Sequence, residues 1–207
     1  MTKQKQVLFQ KIKNSIKSNP FQYVNAHSDG WNFASNGKLA VATKGDDTRL
    51  PSDMHTASLA NKLISLVRRE TTRVRTPATR EIRVGKHLLT QDLKDYKRWF
   101  KESLCSLYQK ELGPQLVWLV DSGDHLSVQR YEHISPSNLN LKRVIELTPP
   151  PVPDNAIALV NLSYLQYVLE GLPASSRLEY ESDTRTNTLV FTSPSFEAVL
   201  APVSIRE

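Results

Sequence analysis

Ala158-Leu159-Val160-Asn161-Leu162-Ser163-Tyr164-Leu165-Gln166-Tyr167-Val168-Leu169 is the stretch on which the reading of this chain turns. Its apolar opening, continuous with Ala156 and Ile157, stops at a polar residue, and Leu162 to Leu169 follows as a compact helix. Asn161 or Ser163 is available as the N-cap, since either side chain can accept from the first free backbone N–H groups. Gly171 and Pro173 close the helix, because Gly tolerates a left-handed cap and Pro cannot continue the ladder.

Downstream, Arg177 to Glu181, Thr188 to Thr192 and Glu197 to Ile205 read as three strands. Upstream, Pro149-Pro150-Pro151-Val152-Pro153 cannot donate to a sheet and forms an extended connection. Before it come a strand over Leu141 to Thr148 and a hairpin, Gln115 to Val120 and His125 to Tyr131, around Asp121-Ser122-Gly123-Asp124. A helix from about Thr90 to Lys110 has Leu93, Tyr96, Phe100, Leu104 and Leu107 as its apolar stripe and ends at Gly113-Pro114.

From Thr71 to Val84 the pattern has period two, with Val74, Ile82 and Val84 alternating with arginines, which predicts edge strands broken at Pro77. Ala57 to Arg69 is a helix with Leu59, Leu63, Ile64 and Val67 on one stripe, preceded by a polar loop over Lys44 to Pro51. Three short strands, Phe21 to Val24, Trp31 to Ala34 and Leu39 to Thr43, are joined at Asp29-Gly30 and Asn36-Gly37, pairs that favour hairpin turns. The first helix carries Val7, Leu8, Ile12 and Ile16 and stops at Asn19-Pro20. Helices and strand groups therefore alternate four times. No sequence motif repeats, but the order of elements does.

Charge is divided along the 207 residues: residues 1–101 hold 20 Lys and Arg against 8 Asp and Glu, and residues 102–207 hold 7 against 13, beneath a net charge of +6. A basic half points to a polyanion, because each cation set against a phosphate releases counterions. Apolar runs such as Leu116 to Val120 are about five residues long, and none approaches the roughly 18 that cross a bilayer. The N-terminal lysines interrupt any secretory apolar block. With Cys105 as the sole cysteine, no internal disulfide can form, and a reducing, cytoplasmic location is expected.

Enzyme signatures are missing. His27, His55, His87, His125 and His133 are scattered, and no glycine-rich phosphate loop or nucleophile elbow occurs. Cys105, beside Leu104 on the apolar stripe, reads as a packed thiol. Asp121, Asp124 and Glu132 can approach across a hairpin, where carboxylates more often serve turn geometry than a metal. No cofactor or metal is expected.

The opening stretch resembles the last helix of sliding clamps, the ring-shaped processivity factors of DNA polymerases, whose bacterial members have an apolar strand, then Asn, Val, Ser, Tyr and a Leu-containing helix. Ala198-Val199-Leu200-Ala201-Pro202-Val203-Ser204-Ile205 is similar to that family's terminal strand, and Asp29-Gly30-Trp31-Asn32-Phe33-Ala34-Ser35-Asn36-Gly37-Lys38-Leu39-Ala40-Val41 to one of its hairpins. The resemblance implies an α+β fold with two domains, about 1–84 and 85–207, each with two helices packed on antiparallel sheets. It implies a non-catalytic protein of DNA replication, of phage, prophage or plasmid type, tethering a DNA polymerase or other clamp-binding protein. Two-domain subunits of the family close as trimers, so a homo-oligomer is implied, with no membrane partner.

Under the same resemblance Lys11, Lys13, Lys17, Lys62, Arg68, Arg69, Lys94, Lys97, Arg98 and Lys101 face DNA from the helices, and no base-specific contact is expected. Arg73 and Arg75 belong to the Arg68 to Lys86 segment, whose six arginines and one lysine either grip phosphates or protect a sheet edge. The resemblance also implies that Leu200, Pro202 and Val203 line an apolar pocket for partner peptides. Two other readings remain: a DNA-binding regulatory or accessory protein of a phage or plasmid that forms no ring, and a nuclease of unfamiliar motif.

Overall fold

A computed structural model of the protein describes residues 10–11, 24–28, 31–36, 38–44, 78–102, 115–130, 152–181 and 188–203. Strands β1 (Val24–Ser28), β2 (Trp31–Ser35) and β3 (Leu39–Lys44) form an antiparallel meander. Ser28 stands opposite Trp31, so only Asp29 and Gly30 separate the first two strands. Of the strand expected over 21–24, Val24 is in β1 and the other three residues lie outside the described residues. In the next turn the Asn36 side chain accepts from the N–H groups of Lys38 and Leu39 at 3.0 and 2.8 Å, standing in for backbone partners.

Among the described residues the remaining elements repeat one pattern. β4 (Thr79–Arg83), α1 (Lys86–Glu102), β5 (Leu116–Asp121) and β6 (Leu126–Arg130) make one βαββ unit. β7 (Ala156–Asn161), α2 (Leu162–Gly171), β8 (Arg177–Glu181) and β9 (Leu189–Ser193) make the second, followed by β10 (Phe196–Leu200). The units exchange first strands: β4 pairs with β8, and β7 pairs with β5. Among the described residues the result is a seven-stranded sheet, β1-β2-β3-β10-β9-β8-β4, and a three-stranded sheet, β6-β5-β7, antiparallel throughout. The larger sheet takes strands from both sides of residue 84, joined where β3 pairs with β10.

One core is shared by both sheets and both helices, with Leu89, Leu119, Leu165, Leu178 and Phe191 fully enclosed in it. A satellite cluster of Leu116, Trp118, Val120 and Leu159 lies apart from that core, with Ala156 and Val203 packed on it. β4 is an edge strand among the described residues, and only Ile82 of its five is buried while Arg80 and Arg83 are exposed, as the charged alternation predicts.

The helix starts differ from one another. α2 is capped by Asn161, extended at φ −71° and ψ 122°, whose Oδ1 accepts from the N–H groups of Ser163 at 2.9 Å and Tyr164 at 3.4 Å; of the two candidate caps it is the one used. α1 begins at Lys86, four residues before Thr90, after Gly85 at φ +59°. Thr90, the expected start, lies inside the first turns, its hydroxyl donating to the Lys86 carbonyl at 2.6 Å. β10 ends at Leu200, short of the expected Ile205. Ala201 N–H still donates to Lys38 O at 2.9 Å, Pro202 has no N–H to give, and Val203 N–H donates to Leu159 O of β7 at 2.8 Å. The tail thus crosses from one sheet to the other.

The helix expected over 57–69, the strand over 141–148, Cys105, Leu104 and Leu107 lie outside the described residues, as does the first helix except Gln10 and Lys11, which are helical.

Candidate nucleic-acid interface

α1 presents three faces. Leu89, Leu93, Tyr96 and Phe100 recur at helical spacing and are buried, which fixes the rotation of the helix against the core. At 3.6 residues per turn, Lys94, Lys97, Arg98 and Lys101 then share an arc of about 100° on the outer side. All four are exposed, and none has a carboxylate within 4 Å among the described residues. The third face turns to β6: Asp92 Oδ2 accepts from Val128 N–H at 3.3 Å, and the Arg130 guanidinium lies 4.5 Å from the centre of the Trp99 ring. Asp95 and Glu102 lie on the side of the row nearer β6, so the cations occupy a bounded strip.

Other cations are engaged internally. Lys11 Nζ donates to Glu170 of α2 at 2.7 and 2.8 Å, and Lys86 Nζ donates to the Leu172 carbonyl just past the end of α2. Partial burial lowers the pKa of Lys86, since a less hydrated ammonium holds its proton less firmly. Lys13, Lys17, Lys62, Arg68, Arg69, Arg73 and Arg75 lie outside the described residues. α2 bears no Lys or Arg, and its outward residues include Ser163, Tyr167 and Glu170.

At the C-terminal tail the three expected residues part company. Leu200 is fully buried in the main core, where it faces no surface. Pro202 and Val203 are half-buried, with Val203 resting on the satellite cluster around Trp118 and Leu159. Of the three, Pro202 and Val203 reach the surface.

The sequence gives no hint of a link between the sheets at Tyr180 and Asp121. Tyr180 of β8 donates its hydroxyl to Asp121 Oδ2 at 2.6 Å, while Asp121 Oδ1 accepts from Gly123 N–H at 2.7 Å in the β5–β6 turn. Burial first, then the Asp121 hydrogen bond and charge, push the Tyr180 pKa up. Asp124 pairs with His125, whose hydrogen bond and charge hold that carboxylate below its usual value. Glu132 lies outside the described residues, so no approach of the three carboxylates is drawn. No helix among the described residues is long and apolar enough to cross a membrane.

No protein-family model matches the chain, and no curated protein matches it. Among solved structures it is similar to DNA polymerase III beta subunit of Thermotoga maritima, with 11% identity and a TM-score of 0.46 over 98% of this chain and 62% of that one. The beta subunit of Borrelia burgdorferi aligns at 12% identity and a TM-score of 0.42, over 89% of this chain and 56% of that one. A Helicobacter pylori beta clamp bound to a DNA ligase peptide aligns at 14% identity and a TM-score of 0.34, over 84% and 41%. The chain spans less than two thirds of the length of each of these proteins.

Proposed function

We propose that the chain is a sliding-clamp-like, non-catalytic protein of DNA replication that holds a polymerase or another clamp-binding protein on DNA. The observation that carries this reading is the row of Lys94, Lys97, Arg98 and Lys101, four exposed cations on a helix whose opposite stripe is locked in the core. Such a row can neutralise phosphates without reading bases. Support also comes from the α+β architecture, two helices and antiparallel sheets among the described residues, which is compatible with the fold that the family resemblance implies. A division near residue 84 into two domains, a trimeric ring and a cytoplasmic location follow from the same reading. Partner peptides would dock beside Pro202 and Val203, where the tail covers part of the satellite apolar cluster. The contribution of such a protein is topological: it keeps its partner at high effective concentration on the template.

The experiment is a titration of the full chain with duplex DNA at several salt concentrations, combined with size-exclusion chromatography and light scattering. Binding insensitive to sequence, with log K falling by about 0.9 per neutralised phosphate for each unit of log salt, supports the phosphate surface. A trimer supports ring closure; a monomer with the same DNA binding favours the accessory protein that forms no ring. Strong preference for one sequence overturns the electrostatic account.

A further inference from the structure

The cationic row on α1 has carboxylates for neighbours on the same helix, and what holds each of them decides how much of the row is free. Asp95 stands three residues before Arg98 and Glu102 four after it, the spacings at which side chains on one helix meet. Neither carboxylate lies within 4 Å of Arg98. Asp95 is the stronger competitor of the two, because an acid placed N-terminal to its base pairs better than one placed after it. Its carboxylate is taken from the other direction. Gln91, exposed and one turn earlier, donates its Nε2 amide to both oxygens of Asp95, at 3.2 Å each. Gln91 carries no charge, so this bond occupies the carboxylate without consuming a cation. Asp92, the remaining acid of α1, is turned to β6, where it accepts from Val128 N–H.

We infer that Gln91 is a positioning residue for nucleic-acid binding: it keeps the Asp95 carboxylate off Arg98 and so leaves that guanidinium for phosphate. The inference rests on the phosphate-binding reading of α1 and names the residue that keeps the row uncommitted. Arg98 is the member of the row most exposed to capture, because its planar fork fits the two oxygens of a carboxylate as well as those of a phosphate. Without Gln91, Asp95 has no other partner among the described residues and turns to Arg98. A guanidinium paired in this way must first give up the carboxylate, and it contributes less counterion release at a phosphate.

The test is a mutant cycle on the full chain with a short labelled duplex of arbitrary sequence, at several salt concentrations. It compares Gln91→Ala in the wild-type, Asp95→Asn and Arg98→Gln backgrounds, with Lys94→Gln as a direct-contact control. Ala is the better helix former, so Gln91→Ala leaves α1 intact, and an unchanged melting temperature checks this. In the wild-type background Gln91→Ala is expected to weaken binding about twofold, the scale of an exposed pair within one helix, and to reduce the salt slope. Asp95→Asn alone tightens binding about twofold, the effect of removing a unit charge roughly 7 Å from the row in screened water. In the Asp95→Asn and Arg98→Gln backgrounds Gln91→Ala changes nothing further. An equal loss in all three backgrounds makes Gln91 a contact or a helix support in its own right and overturns the inference; no loss in the wild-type background overturns it too. Failure of the underlying reading looks different: wild type shows no salt-dependent binding, and Lys94→Gln changes nothing.

Discussion

α1 and α2 hold equivalent places in the two strand-exchanged units, yet their outer faces are unlike. Inward, each offers a stripe of large apolar residues to one shared core, Leu89, Leu93, Tyr96 and Phe100 in one and Leu162, Leu165, Val168 and Leu169 in the other. Outward, α1 carries four cations, whereas α2 carries none and ends in a carboxylate that another part of the chain neutralises. The lesson is that packing constrains only the buried stripe, so the exposed arcs of a repeated architecture are free to take on different chemistry.

The comparison breaks first if the two stripes are not equally needed. Leu89→Ala and Leu165→Ala each remove a fully buried side chain and should each cost about 2–5 kcal/mol in urea unfolding. If one is tolerated and the other abolishes folding, the units do not contribute alike to the core. The outer faces come next. Reversing Lys94, Lys97, Arg98 and Lys101 to Glu together should lower DNA affinity at least about a hundredfold near 0.1 M salt, with the melting temperature preserved. Unchanged affinity would move the DNA surface off α1.

The helix starts give a smaller contrast. Gly85→Ala places a Cβ on a residue at φ +59° and 3.0 Å from the Cβ of His125, so a loss of about 1–2 kcal/mol is expected. Asn161→Ala should cost about 1 kcal/mol and Asn161→Gly only a few tenths, because α2 depends on a side-chain cap. Equal responses at the two starts in thermal denaturation would erase the distinction. Smallest is Gln166→Lys, which gives α2 a cation of its own; a gain of less than about threefold in DNA affinity would place α2 beside the phosphate path, and no gain would leave that path to α1.

α2 is legible from sequence because its signals are local: an apolar run, an Asn cap, and Gly and Pro at the exit all fall within about twenty residues. The start of α1 is harder, since Gly85 supplies conformation instead of a capping side chain, and the helix begins four residues before Thr90. The exposed row on α1 follows from periodicity alone. Pairing of Lys11 with Glu170, of Tyr180 with Asp121 and of β3 with β10 does not, because each joins residues whose proximity the topology creates. Leu200 illustrates the same limit: its place in the core depends on β10 lying between β3 and β9.

The position of β10 also orders events during synthesis. β3 is buried from Leu39 to Thr43, yet the strand that completes its outer ladder leaves the ribosome about 160 residues later. At roughly 5–20 residues per second that interval is on the order of 8–30 s, during which an apolar strand edge waits in the nascent chain. Such an edge is a template for mispairing with another chain. Expression yield should therefore depend on translation speed and holdase chaperones more than equilibrium stability alone implies, and a β10 segment supplied in trans should compete for β3 in the unfinished chain.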